Sequence, residues 1–571
     1  MNGDLLGIIT IFLATTGLAI VLGKYIARVF SGEKTLLDFL QPVEKGIYRL
    51  SGIDPSESMD WKQFLKALLT LNMLWLVYAF LMLIFQDQLP LNPDGNPAQT
   101  PDLAFNTAIS FLVNCNLQHY SGESGLTYFT QLFVVTFLQF VTAATGIATV
   151  VAMFNGFKAK TTEDLGNFWK YLVLSTTRIL LPLSIVLATI LAFNGTPTSY
   201  AGKDTIVTLE GDSVQVSRGP AAGMIAIKQL GTNGGGWFGV NSAHPFENPN
   251  YLTNAAENIS ILLIPMAIVF AFGYYIHRKK MGYVIFGVMT FLFLIFVSIN
   301  VYFESAGNPA IDRLGIAQDM GSMEGKEIRI GSAATALWSV STTSTSNGSV
   351  NGMHDSLTPI SGGVAILDMM INALYGGVGV GLLNYFIYII IAVFISGLMV
   401  GRTPEFLGHK VEAREVKIAA LITLLSAFLI KSFTALAAYL VVQHPDMAWA
   451  VQPGAWLNNP SFHGFSEMLY EFTSANANNG SGFEGLGDNN IFWNVATGIV
   501  LLLGRYLPII GPIAIIGILA RKKYIPESPG TLRTDAYTFG VMTLVVIVII
   551  TALSYLPALA LGPIAEYFIL H

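Results

Sequence analysis

The chain has 571 residues, of which 53 % are hydrophobic and only 12 % charged, with a formal net charge of −6. A soluble chain is about 25 % charged, so 30 basic and 36 acidic residues are too few to cover a soluble surface of this size. That excludes a soluble enzyme, a nucleic-acid binder and a disordered scaffold, and leaves a polytopic membrane protein with lipid around it. The single cysteine, Cys115, excludes an internal disulfide and a cysteine-based metal cluster.

A helix needs about 20 apolar residues to cross about 30 Å of hydrocarbon. Ten runs reach that length: 5–30, 64–85, 126–154, 171–193, 259–276, 281–303, 364–400, 416–442, 491–520 and 537–561. The first lacks a basic flank and a cleavage-like end, so it reads as a retained helix and not a signal peptide. Basic residues gather after every odd-numbered run, for example Lys24 and Arg28, Lys158 and Lys160, Arg278 to Lys280, Arg402 and Lys410, and Arg521 to Lys523. The loops at 86–102 and 443–463 contain no Lys or Arg. Basic loops stay in the cytoplasm, so both termini are expected outside.

Each outer loop ends in an apolar segment too short to cross, followed by a polar run. These are 101–112 then 113–118, 220–230 then 231–236, 332–340 then 341–348, and 461–472 then 473–480. Span, re-entrant helix, polar loop and span thus recur four times, using runs two to nine. The predicted fold is an all-α polytopic membrane protein with ten transmembrane helices. It holds four membrane–pore-loop–membrane repeats of K⁺-channel type in pseudo-fourfold symmetry, plus one extra helix at each end. The expected segments are 1–60 (first helix and cytoplasmic loop), 61–160, 161–280, 281–412 and 413–525 (pore repeats), and 526–571 (last helix).

Irregular backbone survives at membrane depth only where protein buries it or water reaches it. Four half-helices pointing inward would each bring about half a negative charge to one axis. Loops of Gly, Asn, Ser and Thr expose carbonyls, and carbonyl rings replace the hydration shell of K⁺. The loops contain no Asp or Glu, which divalent sites usually recruit, so a monovalent cation is expected.

Several stretches carry a specific resemblance. They include Trp61-Lys-Gln-Phe, Tyr120-Ser-Gly-Glu, Leu230-Gly-Thr-Asn-Gly-Gly-Gly, His244-Pro-Phe-Glu-Asn-Pro, Met323-Glu-Gly-Lys-Glu, Gly401-Arg-Thr-Pro-Glu, His463-Gly-Phe-Ser-Glu and Asn478-Asn-Gly-Ser. Nearly end to end, the chain resembles the potassium-transporting A subunit family (KdpA) of the bacterial Kdp ATPase. The resemblance implies a K⁺-binding, channel-like subunit of a high-affinity uptake pump in the bacterial plasma membrane. It also implies a P-type ATPase partner (KdpB) that hydrolyses ATP, and KdpC and KdpF subunits. The chain itself has no Asp-Lys-Thr-Gly phosphorylation motif and no Walker loop, so it is not expected to be an enzyme. No cofactor beyond the transported K⁺ is expected.

By the resemblance, the ion site falls on Asn114, Cys115 and Asn116; Thr232, Asn233 and Gly234; Ser346, Asn347 and Gly348; and Asn478, Asn479 and Gly480. A family member carries Thr, Trp and Ser in place of Cys115, Leu117 and His119, and Cys in place of Asn347. Gln118 is expected to brace the filter or line the ion path. Arg505, in mid-span, is expected to be costly unless it faces the bundle interior, and reads as a cationic plug below the filter. Gly376, Gly377, Gly379 and Gly381 interrupt the seventh run, either as small-residue helix packing or as an intramembrane loop. His354, Asp355 and Glu247 are expected to brace the filter by hydrogen bonds. Aspartate at Gly122, in the outer loop beyond the first filter, is expected to disturb K⁺ affinity and selectivity much less than aspartate at Gly234. The alternative function is a stand-alone Trk/Ktr-like secondary K⁺ transporter or channel.

Overall fold

The computed structural model describes residues 2–526 and 533–570. Residues 1 and 571, and residues 527–532 within the expected last segment, lie outside the described residues. Ten helices are long and apolar enough to cross a membrane: Gly3–Ser31, Trp61–Ile84, Tyr128–Lys158, Phe168–Phe193, Tyr251–Tyr275, Lys279–Asp312, Val380–Val400, Ala413–Gln443, Ile491–Ala520 and Tyr537–Leu570. Several start at polar caps read directly from the chain. Asp60 accepts hydrogen bonds from the amides of Lys62 and Gln63 while Gln63 Oε1 accepts one from the Asp60 amide, a reciprocal cap. Asn250 and Asn490 cap spans five and nine.

Within each repeat the second span is the inner one. Of the most apolar stretch, 78, 83, 50 and 61 % is buried in spans three, five, seven and nine, against 22, 33, 44 and 28 % in spans two, four, six and eight. The inner four therefore surround the axis and the outer four face lipid. Lys431 lies exposed on span eight, on that outward side. The first span packs along the fifth, where the Gly23 backbone comes against Ala267 and Phe270. Arg178, inside a π-turn of span four, is buried and grips Glu44 through two hydrogen bonds of 2.6 and 2.7 Å and Asp38 through one of 2.7 Å. That fixes the amphipathic helix Gln41–Ser51 against the bundle.

Between the two spans of each repeat lies a short buried pore helix: Pro101–Leu112, Ala222–Leu230, Ser332–Ser344 and Phe462–Ala477. The last two run further than the apolar pattern predicts. Ser341, Thr343 and Thr473 bond their hydroxyls to the carbonyls of Leu337, Ser339 and Leu469, four residues back, so polar residues continue the helix without unsatisfied groups. The expected seventh run is also corrected. It is two helices, Pro359–Ile371 and Val380–Val400, separated by an irregular stretch in which Asn372, Tyr375, Gly376 and Gly379 all have left-handed φ. Of the two readings of its glycines, the intramembrane loop is the one observed.

Candidate functional site

The four polar loops that follow the pore helices share one geometry. Asn114, Thr232, Ser346 and Asn478 end the helices with φ of 61, 47, 51 and 52°. Two residues on, Asn116, Gly234, Gly348 and Gly480 are again left-handed, at 56, 67, 91 and 104°. Alternating handedness turns successive amides to one side and their carbonyls to the other. The amides go back to the pore helix: those of Cys115, Asn233, Asn347 and Asn479 bond the carbonyls of Ser110, Lys228, Thr342 and Ser474 at 2.9–3.1 Å. Among the described residues, the backbone carbonyls of Cys115, Asn116, Asn233, Ser346, Asn347, Gly348, Asn479 and Gly480 accept no hydrogen bond. Eight unsatisfied carbonyls in one buried cluster call for a ligand.

The loops meet in a closed cycle. A Cβ on Gly234 would fall 1.9 Å from the Asn347 carbonyl oxygen, one on Gly348 2.1 Å from that of Asn479, and one on Gly480 1.9 Å from that of Cys115. The fourth contact is made by a side chain, as Asn116 Nδ2 donates to the Gly234 carbonyl at 2.6 Å. Asparagines hold the joints. Asn347 Nδ2 reaches the Lys228 carbonyl at 3.1 Å, Asn479 Nδ2 the Thr342 carbonyl at 2.7 Å, and Asn233 Nδ2 the Asn114 Oδ1 at 2.5 Å. Cys115 occupies the equivalent place in the first repeat and, buried, makes no such tie.

Behind the ring, buried ions stiffen the loops. Lys228 pairs with Glu247, whose other oxygen accepts from the Phe238 amide at 3.0 Å. Glu257 accepts from Gln229 and Ser242 at 2.7 and 2.8 Å. Asp368 accepts from Thr343 and Ser344 at 2.8 and 2.6 Å, and Lys326 pairs with Glu304 at 2.9 Å.

On the far side of the ring from the outer loops lies the intramembrane loop 372–379. The Val378 amide donates to Thr232 Oγ1 at 2.9 Å, and the Gly376 amide to the Ser344 carbonyl at 2.8 Å. The loop backbone presses on span three: a Cβ on Gly379 would lie 2.1 Å from the Gly146 carbonyl oxygen. Arg505 is buried beneath the ring. Its guanidinium nitrogens lie 3.5 and 3.7 Å from where side chains on Gly146 and Gly377 would begin. Among the described residues no carboxylate pairs with it.

The profile of the potassium-transporting ATPase A subunit family matches residues 9–568. The chain belongs to that family. The potassium-transporting ATPase potassium-binding subunit of Phocaeicola vulgatus is 62 % identical over 567 residues, covering 99 % of this chain and all of the relative. The subunit of the same name from Geobacillus kaustophilus is 45 % identical over 557 residues, covering 98 % of each. Among solved structures, the potassium transporter TrkH from Vibrio parahaemolyticus aligns over 87 % of this chain and 96 % of its own, with a TM-score of 0.50 at 15 % identity. The likeness lies in the fold.

In this family member the twelve positions expected to bind the ion come together in the ring, and Arg505, Gly376, Gly377, Gly379 and Gly381 lie beneath it. Gln118 ties the first loop to the second, its Oε1 accepting from the Gly236 amide at 2.7 Å and its Nε2 donating to Tyr120 Oη at 3.2 Å. His354 bonds Tyr470, which bonds Ser481 just past the fourth loop, each at 2.7 Å. Asp355 instead pairs with His463 at 2.9 Å, and the other ring nitrogen of His463 meets Glu566 of the last helix at 2.9 Å. At Gly122 a Cβ would come 2.4 Å from the Trp237 carbonyl, so a side chain there shifts the backbone where the first and second outer loops meet. Sequence reasoning missed the ion pairs behind the ring. Lys228–Glu247 and Glu304–Lys326 join residues 19 and 22 apart, and the one signal was a charged residue inside an otherwise apolar helix.

Proposed function

We propose that this chain is the K⁺-binding and translocating subunit of an ATP-driven uptake pump of the bacterial plasma membrane. The observation that carries the reading is the closed ring, with its eight hydrogen-bond-free carbonyls, where four pore helices end. Such oxygens replace the water that K⁺ sheds, and the four helix ends add negative potential. The ion ligands are the backbone oxygens of Asn114, Cys115 and Asn116; Thr232, Asn233 and Gly234; Ser346, Asn347 and Gly348; and Asn478, Asn479 and Gly480. The outer mouth faces away from the cytoplasm, as the basic loops on the opposite side support.

Arg505 stands below the ring as a fixed positive charge that stops K⁺ from continuing to the cytoplasm. A small crevice lined by Asn372, Asn384, Thr423, Ser426, Asn476 and Ser554 leads off the same level. These polar groups, set among apolar side chains such as Met370, Ile387 and Ile550, offer the ion stepping points on a lateral path toward a P-type ATPase subunit. That partner (KdpB) hydrolyses ATP, and KdpC and KdpF complete the complex. The relatives' names, which place a potassium-binding subunit in a potassium-transporting ATPase, support the division of labour.

Gly234→Asp tests the ring. Its Cβ would strike the Asn347 carbonyl and its φ is +67°, so the substitution displaces a ligand and adds a carboxylate. In the assembled complex, half-stimulation of ATPase activity should require at least about tenfold more K⁺, and stimulation by Na⁺ should appear. Gly223→Asp, in open space on the pore helix that precedes this loop, is the control. An unchanged K⁺ response with Gly234→Asp places the ion elsewhere.

A further inference from the structure

At the outer mouth, three residues from the ring in the first loop, His119 is fully buried and points one ring nitrogen at two carboxylates. Its Nε2 lies 3.1 Å from Glu471 Oε1 and 4.0 Å from Asp488 Oδ2. Its Nδ1 lies 2.7 Å from Asn494 Oδ1. The Asn494 amide is oriented by a second bond, because its Nδ2 donates to Asp102 Oδ2 at 2.7 Å. Asn494 Oδ1 is therefore an acceptor, and Nδ1 of His119 carries the proton. In the empty site Nε2 also carries a proton and donates it to Glu471; an incoming metal ion displaces that proton and meets the Nε2 lone pair between the carboxylates.

A carboxylate and an amide that fix one imidazole nitrogen and so aim the other are how proteins orient a histidine toward a metal. The three ligand atoms lie within 4.8 Å of one another. Metal bonds of about 2.0–2.2 Å at a tetrahedral angle separate neighbouring ligand atoms by about 3.3–3.6 Å. The Nε2 to Glu471 distance of 3.1 Å lies within about 0.5 Å of that, and Asp488 has to close by less than about 1 Å on Nε2 and by at most about 1.5 Å on Glu471. Asp488 sits in the turn after Gly487 with its side chain 31 % exposed, so it can both admit an ion and move onto it. Charge points the same way. With the imidazole protonated the cluster still carries one net negative charge, whereas neutral imidazole, two carboxylates and a divalent ion balance.

We propose that His119, Glu471 and Asp488 form a site for a divalent transition-metal ion of the zinc class, and that its occupation hinders K⁺ access to the ring. The imidazole selects against Mg²⁺ and Ca²⁺, which take oxygen ligands, and in favour of the later first-row ions. Glu471 and Asp488 line the same cavity of about 80 Å³ as Asn116, Gln118, Gly348 and Gly480. A bound dication therefore occupies the vestibule through which K⁺ approaches and repels it there. The metal site stands on its own residues, while its effect on K⁺ rests on the pore reading above.

The test uses the purified, EDTA-treated complex. Zinc binding is measured by equilibrium dialysis with elemental analysis, Co²⁺ coordination by its visible absorption, and K⁺ response by ATPase activity. We expect about one zinc per complex, and a zinc-dependent rise in the K⁺ needed for half-stimulation. Asp488→Asn, at the partly exposed ligand, and His119→Gln should each weaken zinc binding at least about tenfold and abolish the zinc-dependent rise. Absence of stoichiometric zinc in the unmodified complex, or equal zinc in both variants, overturns the site. Zinc that binds without altering the K⁺ response overturns the hindrance. A zinc-free complex that ignores K⁺ refutes the pore reading instead, with the metal measurement still decisive for the site.

Discussion

His463 joins a pore helix to the last helix through two carboxylates, Asp355 and Glu566, each at 2.9 Å. Burial opposes its charge, but the two carboxylates outweigh that and push its pKa up to about 10 from an ordinary 6.5. Raised in the folded state, it contributes stability that is full below about pH 6.5 and lost as pH rises toward 10. His463→Gln should cost about 2 kcal/mol at pH 6 and progressively less toward pH 10, read as the difference in thermal unfolding between the two proteins. A pH-independent difference would mean that the histidine only packs. Arg505 makes a second prediction at this scale. If its charge closes the route below the ring, Arg505→Ala should give passive Rb⁺ flux through the reconstituted complex without ATP. Reduced yield with no leak and an intact coupling ratio would make it a merely structural buried arginine. The residues of the ring were legible because small polar residues after a short apolar segment have few other uses. The His119 cluster was not, because its carboxylates lie 352 and 369 residues away in the chain, and nothing local marks that convergence.

The spans were legible at the level of elements because length and hydrophobicity alone define them. The pore helices were legible because each is too short to cross. Their C-terminal ends were not, since Ser and Thr that read as loop also satisfy themselves within a helix, as Thr343 and Thr473 do. The seventh run shows the same limit. Its glycines permit both close helix packing and a break, and tertiary contact decided for the break: Val378 is held by Thr232, and Gly379 lies against Gly146. Gly379→Val, at φ +84° and 2.1 Å from a carbonyl, should push the loop off span three. Passive Rb⁺ flux should change in this variant while Arg505 is still present. Unchanged flux would remove the loop from the ion path.

For the whole molecule, ten spans and the small surface hairpins Asp204–Val207 with Ser213–Val216 and Glu405–Phe406 with His409–Lys410 contain no fold for nucleotide chemistry among the described residues. The purified chain without partners should show no K⁺-stimulated ATP hydrolysis, and the activity should return on assembly with a P-type ATPase subunit. Measurable turnover by the chain alone would overturn that division.

The ring closes with three glycine contacts and one asparagine hydrogen bond, and this inequality bears on how such a pore changes over time. In a homotetramer any substitution is written into all four quadrants at once, so most are lethal to the filter. Here a single codon alters one quadrant, and in the ion site proposed above the other three would hold the ion while it is tried. Asn116, by drawing on the Gly234 carbonyl at 2.6 Å, makes one oxygen a weaker donor to a cation than its three counterparts. Affinity can thus be graded in quarter steps. Cys115, where its neighbours carry asparagine, is another such step, confined to one side of the axis.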